Sequence, residues 1–296
     1  MGGRELAELV LLAALWGASF LFMRVAAPAF GPLVLVLVRV GLATLCLLPL
    51  VCWRGEVRAL VTHWRPLAVV GLLNSALPFS LFAWAALSLS AGFTAVLNAT
   101  TPLWGAVVAW LWLATQLPRG KVLGLALGFL GVVVLVWGKI SFKPGGDGWA
   151  VLAAMLAPVA YGIAANYTKQ KLAMASPLVV ATGSQLAATL MLLPLAVPLW
   201  PAHPISLNAW LAAIALAVVC TALAYLLFFR LIAQVGPGKA IAVTFLIPLF
   251  AIVWGGIFLG ETLTPAMAAG GGIILLGIAL ALGLWSPRWL ASAKTN

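Results

Sequence analysis

Ten apolar runs, near residues 6–27, 31–52, 66–88, 93–114, 120–138, 149–168, 177–199, 207–232, 238–260 and 265–285, take up most of this 296-residue chain. Each approaches or exceeds the roughly 20 residues that an α-helix needs to cross a bilayer. What remains suffices for short connections and two tails, but not for a water-soluble lobe. Charged residues make up 7% of the sequence and hydrophobic ones 65%, whereas a soluble domain is roughly one-quarter charged. Intrinsic disorder, a disulfide-stapled miniprotein and an enzyme with a separate catalytic lobe are excluded. The sequence predicts an all-α membrane protein of ten transmembrane helices.

The formal charge of +11 would suggest nucleic acid in a soluble protein, but here the basic residues are dispersed between apolar runs and no nucleic-acid partner is expected. They read instead as insertion signals, because Lys and Arg are retained in cytoplasmic loops. With the N-terminus inside, Arg4, Arg54, Arg58, Arg65, Arg119, Lys121, Lys169, Lys171, Arg230, Lys239, Arg288 and Lys294 fall on the cytoplasmic side. The opposite side receives Lys139, Lys143 and Arg24, and Arg39 lies within the second span. Both termini are therefore expected in the cytoplasm. The first run continues to Ala27 without a small-residue cleavage site and reads as a retained span. Cys46, Cys52 and Cys220 show no metal or redox spacing.

Shifting the chain on itself exposes a duplication. At an offset of 145, Gly17 falls on Gly162, Pro32 on Pro177 and Pro49 on Pro194; at 146, Trp64 falls on Trp210, Gly92 on Gly238, Pro102 on Pro248, Gly124 on Gly270 and Gly131 on Gly277. Residues 1–140 and 141–296 thus form two repeats of five spans. An odd number of spans reverses direction, so the second repeat is expected upside down. Inverted repeats characterise transporters with a midplane site between the halves and two alternative packings.

WGASF at 16–20 with Arg24, PLVLVLVRVGLA at 32–43, and PLFAIVWGGIFLGETLTP at 248–265 followed by GGGIILLGIAL resemble the EamA family of the drug/metabolite transporter superfamily. Within it the chain is most similar to YddG-type amino-acid exporters. The resemblance implies ten helices in inverted five-helix repeats, a bacterial inner-membrane location and secondary export of small metabolites, aromatic and neutral amino acids foremost. Channel-like permeation, or carriage of another metabolite or drug, is the alternative. One departure is clear: Glu261 follows the ninth span, whereas the first repeat has Thr115 and Gln116 there.

Proline within a membrane helix leaves a carbonyl four residues earlier without its N–H partner. Pro102 frees the carbonyl of Asn98, and Pro248 that of Thr244. Asn98, Thr100, Thr101 and Thr244 therefore form a polar patch at membrane depth, which either lines a cavity or satisfies kinked backbone. Aromatic residues repeat as well: Trp16 matches Tyr161, Phe79 matches Tyr225, and Phe82 matches Phe228. The expected substrate site comprises Trp16, Ser19, Phe79, Asn98, Thr101, Tyr161, Tyr225 and Thr244. Asn74, Ser75, Ser80, Asn166 and Gln185 are further polar positions suited to interhelical hydrogen bonds. Trp110, Trp112, Trp137, Trp149, Trp200 and Trp285, near span ends, read as interface anchors.

Arg39 is an ionisable residue inside a span, and such residues mark function or a structural bond to backbone. Pro102, Pro248, Arg24, Arg39 and Glu261 are the expected hinge or gate residues, Arg24 with Glu261 forming an outer gate. The glycines of the fifth and tenth spans suit close helix packing or a dimer face, so a monomer or weak homodimer in lipid is expected. Glu5, Glu8, Glu56, Asp147, Glu261, His63 and His203 all lie in loops or at span ends. No phosphate loop, metalloprotease motif or nucleophile elbow is present. No catalytic residue, metal or cofactor is expected, and transport is expected to follow the substrate gradient.

Overall fold

The computed structural model describes residues 2–115, 117–240 and 242–282; Gln116, Trp285, Arg288 and Lys294 lie outside them. The regular structure among the described residues is all helical, without strands. Eight helical segments among the described residues are long and apolar enough to cross a membrane: α1 (Gly3–Phe30), α2 (Pro32–Trp53), α3 (Trp64–Ala85), α4 (Ala91–Trp112), α5 (Arg119–Val136), α6 (Gly148–Lys171), α7 (Pro177–Leu199) and α8 (Leu207–Val235). The last two apolar runs give shorter helices of 17 residues, α9 (Val243–Leu259) and α10 (Pro265–Ala281). The ninth run is divided, with a separate short turn at Pro237–Ala240 ahead of α9.

Sequence punctuation explains the boundaries. Gly31, at φ +74°, lets α1 pass into α2 through a single residue, and Pro32 begins α2 where no N–H is needed. Ser176, Ser206 and Thr264 cap α7, α8 and α10 by accepting from backbone N–H groups three residues on. In α4 the helix is interrupted at Ala99–Thr100, and Pro102 takes the second position of the following Thr101–Leu113 segment. Pro248 instead stays within α9 and is buried. The two repeat-matched prolines thus act differently, one at a break and the other in continuous helix.

Lipid gives little hydrophobic drive for helix association, so close packing of small residues must hold the bundle together. The main contacts run between the two halves: α1 with α9 and α8, α6 with α4 and α3, α2 with α7, and α5 with α10. Exchanging α1 for α6, α3 for α8 and α4 for α9 reproduces the same set. Glycines make this visible at atomic scale. A Cβ on Gly17 would lie 2.7 Å from the Cβ of Phe250, and one on its match, Gly162, would lie 2.8 Å from the backbone N of Gly105. Gly131 closes on Ile274, and Gly270 on Leu135, across the α5–α10 seam. Those glycines are therefore occupied inside one chain. Trp110, Trp112, Trp137, Trp149 and Trp200 are all exposed on the bundle surface.

A candidate substrate cavity and its ion-paired ends

Both α3 and α8 change from α-helix to a single π turn midway, at Leu72–Ala76 and Val218–Leu223. The turns coincide at the 146-residue offset. A π turn adds a residue to the helical circuit, and such bulges recur at functional sites. Pro78 cannot be the shared cause, since Ala224 occupies the matching place in α8. The result is that Asn74, Cys220 and Thr221 face a cavity of about 300 Å³, at the small end of the range for small-molecule sites.

All eight residues expected at the substrate site line this cavity: Trp16, Ser19, Phe79, Asn98, Thr101, Tyr161, Tyr225 and Thr244. Arg39 joins them, together with Met23, Phe20, Phe82 and Phe228. Arg24, Pro102, Pro248 and Glu261 are not part of its wall. Thr100 turns away, buried with its hydroxyl on the carbonyl of Leu97. Ser75, Ser80, Asn166 and Gln185 make interhelical or local bonds, Gln185 donating to Ser75 at 2.9 Å and Asn166 to the carbonyl of Gly105 at 2.9 Å.

Seven aromatic residues line the wall: Trp16, Phe20, Phe79, Phe82, Tyr161, Tyr225 and Phe228. Trp16 packs on Phe228 with centroids 5.1 Å apart, Tyr161 on Phe82 at 6.2 Å, and Tyr225 stacks on Phe229 at 5.9 Å. The polar groups of the wall are mostly committed. Thr101 donates to the Asn98 carbonyl that Pro102 leaves free, at 2.7 Å, and Ser19 donates to the carbonyl of Trp16 at 2.6 Å. Asn74 donates to the Tyr225 hydroxyl at 3.2 Å. The side-chain oxygen of Asn98 is buried without a hydrogen-bond partner among the described residues. Arg39 is 5% exposed; its Nε donates to Thr221 at 2.9 Å, and its guanidinium carbon lies 3.5 Å from the Phe79 ring centroid.

Ion pairs hold α1 at both ends. Arg24 donates to the carbonyls of Ala86 and Leu87 at 2.7 and 2.9 Å and lies 3.6 Å from Glu261, whose other oxygen accepts from the N–H of Ala91 at 2.9 Å. One cluster thereby joins α1, the α3–α4 connection and the segment after α9. Sixteen residues earlier, about 24 Å along the helix, Glu8 pairs with Arg230 of α8 at 3.1 Å and with Arg4 at 3.4 Å. The sequence reading named the first pair and missed the second, because Glu8 reads as an ordinary flanking charge. It also missed Cys220 and Thr221, although the signal was present: they are the 146-residue matches of Asn74 and Ser75.

The sequence matches the EamA-like transporter family over residues 6–137 and again over 148–283. It is 29% identical to the uncharacterized transporter YvbV of Bacillus subtilis, covering 92% of this chain and 89% of that protein. A probable terminal-alkyne amino-acid exporter of Streptantibioticus cattleyicolor is 25% identical, with 92% and 91% covered. A solved crystal structure superimposes with a TM-score of 0.65 at 17% identity, covering 96% of this chain and 99% of that one, which shows a shared fold. With both halves matched and an all-helical, multi-pass architecture, the chain belongs to the EamA-like transporter family.

Proposed function

We propose that the protein is a secondary carrier of the bacterial inner membrane, made of ten membrane helices in two inverted five-helix repeats with both termini cytoplasmic. It exports small metabolites, aromatic and neutral amino acids foremost, by alternating access around the cavity between residues 1–140 and 141–296. The observation that carries this reading is the convergence of matched residues from both halves on one aromatic cavity. Trp16 and Tyr161, Phe79 and Tyr225, and Asn98 and Thr244 all reach its wall. The exchange-related contacts of α1–α9 and α6–α4 support two similar packings of one scaffold, as alternating access requires. Pro102 and Pro248 serve as hinges, and the ion pairs at the ends of α1 as gates, Arg24–Glu261 on the outside.

The amino-acid assignment draws support from the Streptantibioticus relative, whose name describes an amino-acid exporter. The test is uptake into proteoliposomes with labelled aromatic and neutral amino acids, using Asn98→Ala and Tyr161→Ala as controls. A carrier gives saturable flux and counterflow that both variants weaken. Non-saturating flux without counterflow would make the protein a channel, and no flux of any amino acid would overturn the substrate assignment.

A further inference from the structure

Among the described residues, Arg39 is the one charged residue in the cavity wall. Its positive charge has no counterpart: the ion pairs among the described residues join Arg4 and Arg230 to Glu8, Arg24 to Glu261, and Lys139 to Asp147. Guanidinium cannot shed its proton in a protein, so the charge is permanent. Five N–H groups are available. Nε–H is taken by Thr221, Nη1 points toward the Met23 sulfur at 3.9 Å, and Nη2 has no oxygen partner among the described residues. Phe79 holds the plane of the fork from one face. A purely structural arginine at membrane depth would spend its donors on backbone carbonyls or a carboxylate. This one is buttressed by Phe79 and Thr221 and leaves donor capacity toward the cavity.

Symmetry makes the placement sharper. The repeat match of Arg39 is Ser184, whose hydroxyl is spent on the carbonyl of Ala181 at 2.9 Å. Aromatic residues and π turns recur in both halves, but the charge does not. It therefore belongs to the cavity's ligand, and not to the scaffold that both halves share.

We propose that Arg39 is a carboxylate anchor, and that the substrate class is small monocarboxylates with an aromatic or apolar body, an α-amino group being accepted but not required. A carboxylate matches the planar guanidinium fork. An α-ammonium would meet only neutral acceptors, of which the unpartnered Asn98 oxygen is one, while sitting close to a like charge. Replacing it by a hydroxyl removes the repulsion and still permits a hydrogen bond. The inference rests on the carrier reading of the cavity and specifies what the cavity takes.

The experiment measures thermal stabilisation of the purified protein, and competition with labelled phenylalanine counterflow, for four compounds: phenylalanine, 3-phenyllactate, phenylalaninamide and 2-phenylethylamine. The two carboxylates are expected to bind, phenyllactate at least as well as phenylalanine, and the amide and amine to bind roughly tenfold to a hundredfold more weakly, the span associated with one charged hydrogen-bonding partner. Arg39→Gln should abolish the preference, and Arg39→Lys, which keeps charge but not the fork, should restore part of it. Equal binding of all four compounds to the wild-type protein would overturn the inference while leaving the carrier intact, without needing either variant to fold. An unchanged preference in a folded Arg39→Gln protein would do the same. Failure of every compound to bind or move would overturn both the carrier reading at this cavity and the anchor.

Discussion

Glu8 and Arg230 pair at 3.1 Å at the end of α1 remote from the one where Arg24 meets Glu261. The cavity residues Trp16, Ser19, Phe20 and Met23 lie between these two attachments on the same helix. Movement that opens the cavity at one end must loosen one pair while the other can persist. Cys220, in the cavity wall, is a built-in reporter once Cys46 and Cys52 are replaced by serine. Glu261→Gln is expected to raise its labelling by an impermeant thiol reagent from the outside, and Glu8→Gln from the cytoplasm. Partly exposed ion pairs contribute about 0.2–1 kcal/mol, so the change should be about 1.4-fold to fivefold. Labelling that rises from the same side in both variants would rule out opposed gates.

The α5–α10 seam tolerates no added bulk. A Cβ on Gly131 would stand 2.7 Å from the backbone N of Ile274, whereas one on Gly272 of α10 meets nothing within 4 Å. Overpacking of this kind costs about 1–3 kcal/mol. Gly131→Ala should lower the melting temperature measurably and Gly272→Ala should not, as differential scanning fluorimetry in detergent would register. The same geometry means that Gly131 does not form a dimer face, because its surface is already covered by α10.

Much of this was legible in the sequence because two physical rules act at long range. Lipid demands long apolar helices, and a duplicated chain repeats its glycines and prolines at fixed offset; together they marked Gly17, Gly162, Pro102 and the aromatic cavity pairs. Local hydrogen bonding was not legible. That Thr101 is spent on the Asn98 carbonyl, or that Leu72–Ala76 and Val218–Leu223 wind as π turns, depends on how neighbouring helices meet. Composition could not show that Glu8 reaches Arg230, since a flanking acid looks the same whether paired or solvated.

Asn98 is expected to show opposite effects on stability and function. Its side-chain oxygen is buried without a partner, a condition that costs about 1–3 kcal/mol. Asn98→Leu, similar in size, should raise the melting temperature and reduce transport, since sites that handle ligands are often less stable than they could be. A variant that is less stable and fully active would show that the oxygen serves the fold and not the cavity.

Charge also fixes how transport responds to voltage and pH. Among the described residues no Asp, Glu or His lines the cavity, which leaves no proton relay of the usual membrane-embedded kind there. A pH difference alone is therefore expected to leave substrate unconcentrated. Voltage is different, because a monocarboxylate moving without a counter-ion carries net charge, worth about 2.3 kcal/mol per 100 mV. An inside-negative potential should accelerate exit of 3-phenyllactate from proteoliposomes, while phenylalanine, a zwitterion with no net charge, should be nearly indifferent. Potentials clamped with potassium and valinomycin separate the two cases. Accumulation of either compound against its gradient under a pH difference, with the potential held at zero, would show that protons are coupled after all.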